Sequence, residues 1–324
     1  MTQSPLLACL ILSGLLAACQ PRPEPADGLA GGKEPKVDRI EWLALTEPAA
    51  AVGAMMQGEV DWYEQPPIDL LPVLKQNRNI RIQNVPLGLI LLMRFNHQQP
   101  PFDNPGVRRA VMMAMKQDDY MQAVVGSAEY YKEAKTFFTP GSPMSTGAGG
   151  AEAIRGDLEK GRAMLKEAGY KGEKVVLLAP ADQPIAYNQS LVTQELLKNL
   201  GMTVDLVSTD WATFIGRRSN RGPVEQGGWS VFHTLWSGAD VLNPALHPLI
   251  RANGEAAWFG WPKSDAVEAA RDEWFAAPDF AAEKAAIDKL NIAAVEAGLY
   301  APTGFFLSYQ AWRRNVSGVV QAPF

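Results

Sequence analysis

The side chains able to do chemistry in this sequence are few, and their spacing favours binding over catalysis. His97, His233 and His247 are the only histidines, and none has a partner at H-E-x-x-H or H-x-x-x-H spacing, so no metal site is implied. Neither a G-x-S-x-G elbow nor a G-x-G-x-x-G with a following acid occurs, so the α/β-hydrolase and dinucleotide signals both fail. No cofactor and no catalytic residue are expected, and the chain is expected not to be an enzyme. Trp211, Trp229 and Trp236, among nine tryptophans, offer broad apolar contact of the kind that tolerates varied ligands. Core packing is the commoner use of any one of them. Tyr63, Glu64 and Gln65 stand at the carboxyl end of an expected strand, where open α/β sheets line their ligand crevices. Arg94, in an apolar strand, suits either a ligand carboxylate or Asp103. Asp240, in the run WSGADVLNP at 236–244, suits an ammonium, because a charge-assisted bond in a water-poor cleft is weakly screened. A helix cap or a solvated side chain is the alternative for it.

The bulk properties narrow the partners. A chain of 324 residues has room for about two domains. A net charge of −5, with basic residues no more clustered than Arg217-Arg218 and Arg313-Arg314, gives no footprint for nucleic acid. Both cysteines, Cys9 and Cys19, fall in the first twenty residues, so the rest of the chain holds neither a disulfide framework nor a catalytic thiol. The apolar run 6–18 is too short for a bilayer span but suits a signal-peptide core. It ends in Leu16-Ala17-Ala18-Cys19, which resembles the lipobox of bacterial lipoproteins. That resemblance implies a signal peptide over 1–19, lipidation of Cys19 and, over the Pro- and Gly-rich residues 20–36, a tether.

Local patterns place these residues on elements. Strands are expected at 37–45 and 59–64, around a helix over 48–57 that Gly58 stops. A short helix over 67–75 precedes strands at 79–85 and 89–96. After Pro100-Pro101, Asn104 caps a helix over 105–125 with Pro105 at its first position and Val107, Ala110, Val111, Ala114 and Met115 on its apolar face. GSPMSTGAGG at 141–150 lacks phosphate-loop spacing and reads as a surface loop. Asp157 opens a helix that ends near Gly169. Strand 175–179, helix 184–200 and strand 202–207 make a β-α-β unit with parallel pairing. A helix over 211–219, a strand over 229–235, helices over 264–276 and 280–297, and strands over 300–307 and 316–320 complete the chain.

Residues 93–120, MRFNHQQPPFDNPGVRRAVMMAMKQDDY, carry an N-x-x-x-P-P-F-D-x-x-x-V-R-x-A block. It resembles that of the family-5 extracellular solute-binding proteins, the dipeptide- and oligopeptide-binding components of ABC importers. Gly58-Glu59-Val60-Asp61, Gly169-Tyr170 after a helix, the turn at 196–201, Asp210-Trp211 and Gly318 follow in the family's order. The resemblance implies an α/β, type II periplasmic-binding-protein-like fold with two lobes and a truncated first lobe. Residues 37–95 plus 300–324 would form the partial first lobe, and 96–299 the second. It also implies capture of a peptide-like or other small solute for ABC permease subunits in the inner membrane. The protein would be a periplasmic, lipid-anchored monomer. In peptide-binding members an aspartate four residues before a proline meets the ligand's α-amino group. Asp240 stands so relative to Pro244, with the tryptophan-to-aspartate spacing one residue longer. A remnant that binds nothing, or a surface lipoprotein that binds another protein, are the alternatives.

Overall fold

The run 89–93 is apolar at every position because its strand is covered on both faces. Leu89, Leu91, Met93 and Phe95 enter one core with Val107, Val111, Leu165 and Leu197, while Leu92 enters another with Leu249, Ile287, Leu290 and Tyr300. The computed structural model describes residues 36–45 and 47–319. Among these, seven strands form one mixed sheet: β1 (Trp62–Tyr63), β2 (Ile80–Phe95), β3 (Tyr131–Lys132), β4 (Lys174–Pro180), β5 (Thr203–Thr209), β6 (Val231–Ser237) and β7 (Ala301–Arg313). The order is β1-β7-β2-β6-β4-β5, with β3 also pairing β7. Pairing from β1 to β6 is antiparallel, and β4 is parallel to both β5 and β6.

The helices are α1 (Pro48–Gln57), α2 (Leu71–Lys75), α3 (Pro105–Ala114), α4 (Gln117–Val124), α5 (Gly150–Ala153), α6 (Leu158–Glu167), α7 (Pro184–Asn199), α8 (Trp211–Arg217), α9 (Asp265–Phe275) and α10 (Phe280–Ala297). Their starts follow the expected chemistry. Asn104, Asp157, Asp210 and Ser264 each accept a hydrogen bond from a first-turn N–H. Residues Thr46–Phe324 form one unit, and Met1–Leu45 another.

The structure corrects several element boundaries. Residues 37–45 form no strand: none of them joins a ladder, and Trp42 and Ile40 remain 81% and 68% exposed. The strand over 59–64 shrinks to Trp62–Tyr63, the two residues that meet Trp312 and Ala311. The strands at 79–85 and 89–96 are one strand bent at its middle, where Leu87 and Gly88 take positive φ. The helix over 105–125 breaks at Met115, because the Met113 carbonyl is taken by the Asp157 N–H. The buried Gln117 amide then anchors the restart on the Ala134 and Pro302 carbonyls. Residues 316–319 form no strand, since the chain turns after Arg313 with the Val316 N–H returning to its carbonyl. β7 instead runs unbroken to Arg313. Cys9, Cys19, the signal segment and residues 20–35 of the tether lie outside the described residues.

Candidate ligand-binding site

Three parallel strands end side by side, and each delivers a short polar loop. β4 ends at Pro180 opposite Thr209 of β5, while β6 continues beyond its pairing with β4 to Ser237. The loops carry Asp182 before α7, Asp210 and Trp211 at α8, and a 3-10 turn, Gly238–Val241, that bears Asp240. The carboxyl ends of strands are where an open α/β sheet leaves a crevice.

The backbone of the Gly238–Val241 turn is pinned from two sides. Thr139 donates its Oγ1–H to the Gly238 carbonyl and its N–H to the Val241 carbonyl, and Ser237 Oγ accepts from the Ala239 N–H at 3.0 Å. A Cβ on residue 238 would lie 1.8 Å from the Leu87 carbonyl oxygen, so only glycine fits. Asp240 is nevertheless exposed, and among the described residues no hydrogen bond reaches its carboxylate. Trp236, half-buried, meets the Trp258 ring edge-on at 5.6 Å. Trp211 is 39% exposed and stacks on Phe214 at 5.1 Å, with its N–H donated to Asp182 Oδ2. Asp210 accepts from the hydroxyl and the N–H of Thr213, which hold its carboxyl below the usual carboxylate range.

The remaining expected residues sit elsewhere. Trp229 lies before the amino end of β6, the end opposite Trp236. It is wholly buried against Phe232 and Trp261 and donates Nε1–H to the Arg218 carbonyl. It does not share a cleft with Trp236. Arg94 is also wholly buried and pairs with neither Asp103 nor an open surface. Its guanidinium donates to the carbonyls of Phe259 (2.6 Å), Leu249 (3.2 Å) and Trp258 (3.4 Å), and burial pulls its pKa down to about 9. Tyr63, half-buried on β1, has its hydroxyl pKa raised by burial and then by Asp69. Glu64 and Gln65 follow it, exposed. These three stand beyond the bend in β2, where β1 meets Ala311, so the structure does not bring them to Asp240.

Thr139, Asp182 and Trp258 were not foreseen. Asp182 carried a readable signal, an acid in a short loop between a buried strand and Pro184. Thr139 and Trp258 reach the site only through contacts remote in sequence. A hollow of about 560 Å³ lies at the other end of β2, lined in part by His97, Asp103, Arg108, Glu255 and Lys263. Its charges are mixed, and the Arg108 guanidinium is spent on the carbonyls of Phe102, Asp103, Ala297 and Gly298. The candidate site is therefore the one at the strand ends.

Residues 24–254 match the profile of the bacterial extracellular solute-binding proteins, family 5 Middle. The chain belongs to this family. A probable peptide ABC transporter periplasmic-binding protein of Sinorhizobium fredii is 33% identical over 306 residues, covering 93% of this chain and 58% of that relative. Among solved structures, the substrate-binding protein CtaP of Listeria monocytogenes superposes with a TM-score of 0.72 at 19% identity, over 82% of this chain and 53% of that one. The periplasmic binding protein DppA of Helicobacter pylori, solved in complex with the peptide STSA, gives 0.70 at 20% identity, over 85% and 52%. These likenesses show the type II periplasmic-binding-protein fold. This family-5 chain spans little more than half the length of each of the three. Among its described residues no helix is long and apolar enough to cross a membrane.

Proposed function

We propose that this family-5 chain captures a peptide-like solute through the ligand's free ammonium group and presents it to an ABC permease. The observation that carries the reading is Asp240: its carboxylate is exposed and unpartnered among the described residues, on a turn whose backbone is pinned, beside Trp236. A carboxylate carried on a pinned turn that directly follows the strand bearing an indole suits an ammonium attached to an apolar side chain. Trp211, on the neighbouring loop, supplies a second apolar face. The Sinorhizobium relative, a probable peptide ABC transporter periplasmic-binding protein, and the Helicobacter protein, solved in complex with the peptide STSA, support the same class. The division into residues 37–95 plus 300–324 and residues 96–299 as two lobes belongs to this proposal. So do a monomeric state, a periplasmic location and an anchor through lipidated Cys19.

The test is calorimetric titration of the full chain with alanyl-phenylalanine and with its N-acetyl derivative. The free dipeptide should bind and the acetylated one should not. Asp240→Asn should weaken binding about 30-fold or more, the effect of removing one partner of a desolvated charge pair. Equal affinity for both dipeptides, or an unaffected Asp240→Asn, would show that the carboxylate meets no ammonium.

A further inference from the structure

On one face of the sheet, Arg94, Leu92 and Ile90 of β2 stand beside Phe232, Thr234 and Trp236 of β6. The Trp258 indole lies across this row, edge-on to Phe232 at 5.8 Å and to Trp236 at 5.6 Å. Two guanidinium groups flank it, those of Arg94 and Arg218, each with Cζ 5.5 Å from the ring centre. They arrive from different elements. Arg94 comes from within β2 and donates only to carbonyls of the 249–259 segment, the one that carries Trp258. Arg218 follows α8, lies 4.5 Å over Phe259, and has a buried Nε with no hydrogen-bond partner among the described residues.

Burying a guanidinium is unfavourable unless its donors and charge are met. At Arg94 carbonyl oxygens and π-faces meet them, whereas Arg218 has the π-faces of Trp258 and Phe259 with its Nε left unpartnered among the described residues; a planar guanidinium is the cation best shaped to stack on an indole. Both unfavourable burials converge on one ring, and that ring is the backing of Trp236.

We infer that Arg94 and Arg218 are positioning residues: they clamp Trp258, and through it they fix Trp236 as a wall of the ligand site. The clamp stands on these contacts alone, while the use of Trp236 by a ligand rests on the function proposed above.

The experiment labels the full chain with 5-fluorotryptophan and assigns its nine fluorine signals by single Trp→Phe substitutions. Arg218 is half-buried, so Arg218→Ala should fold; it should move the signals of Trp258 and Trp236 together. Arg218→Lys, which keeps a cation over the ring, should return both part of the way. The signals of Trp62 and Trp312, which stack on each other at 5.6 Å where β1 meets β7, should stay in place. A Trp236 signal unmoved by Arg218→Ala, or one that moves only in company with Trp62 and Trp312, overturns the clamp. In titration, Arg218→Ala should weaken alanyl-phenylalanine by about 3- to 30-fold, the usual reach of coupling through one packed neighbour. A moved Trp236 with unchanged affinity overturns the wall. If the parent chain binds no dipeptide, the peptide reading fails, and the fluorine signals still decide the clamp.

Discussion

The two ends of the sheet are built on different plans. At the β4–β5–β6 end, strands are short and parallel; the loops after β4 and β5 are joined by the Trp211 backbone N–H to Asp182, and the turn after β6 is held by Thr139. At the β1–β7–β2 end, two long antiparallel strands run side by side, bent at Leu87-Gly88, over a small core of Val52, Met55, Leu71, Leu74 and Ile80. Parallel crossovers bring loops that are distant in sequence to one place, which is what a binding site needs. A bent ribbon brings a change of direction instead. The two plans join along the β2–β6 ladder, from Leu89 opposite Ser237 to Phe95 opposite Val231, and just beyond its Ser237 end the Leu87 carbonyl faces Gly238.

Breaking that contact should have the largest effect. Gly238→Ala places a Cβ against a carbonyl oxygen that neither strand can move aside, and should destabilise by about 3 kcal/mol or more in urea unfolding. A loss below 1 kcal/mol would mean that the Gly238–Val241 turn moves away from Leu87 at little cost.

Acid should come next. His233 on β6 meets Thr193 Oγ1 of α7, which meets the Tyr120 hydroxyl of α4, while His247 faces the Phe137 carbonyl and the Tyr300 hydroxyl. Burial lowers the pKa of both histidines to about 3. The unfolded chain protonates them below its ordinary value near 6.5, whereas the folded chain does not until about 3. Stability should therefore be flat above that upper value and fall below it, by about 1.4 kcal/mol per pH unit for each histidine. His233→Gln should make the fall shallower. Urea midpoints at several pH values check this, and an identical slope in the variant would remove His233 as a cause.

The smallest effect belongs to the bend. Leu87 holds a positive φ of 75°, a conformation unfavourable for a side chain by about 1–2 kcal/mol. Leu87→Gly relieves that strain while losing some apolar contact. Its stability should stay within about 1 kcal/mol of the parent, whereas Leu91→Gly in the same strand should be severely destabilising. A large loss for Leu87→Gly would show that the bend is held by its side chain rather than by its neighbours.

Much of the frame was legible because its signals are local. The Asn104, Asp157, Asp210 and Ser264 helix starts and the β4-α7-β5 crossover are written in adjacent residues. What needed the structure was pairing. Residues 37–45 have strand-like composition, but a strand exists only where an edge receives it. Trp229 and Trp236 look alike in sequence, yet one is sealed in the core and the other is half-buried, because Trp229 precedes the amino end of β6 and Trp236 stands near its carboxyl end. Arg94 on an apolar strand suited a ligand carboxylate or Asp103 equally, but its partners, 155 or more residues away, are backbone carbonyls.

The pinned turn at Gly238–Val241 separates two kinds of inheritance. Its backbone is held by Thr139 and Ser237 and lies close against Leu87, whereas no hydrogen bond ties the Asp240 side chain to any of them. A change of codon at 240 can therefore exchange one charge for another at the rim while the frame folds as before. If Asp240 meets the ligand as proposed, ligand preference can change one residue at a time, on a turn whose folding does not depend on that side chain.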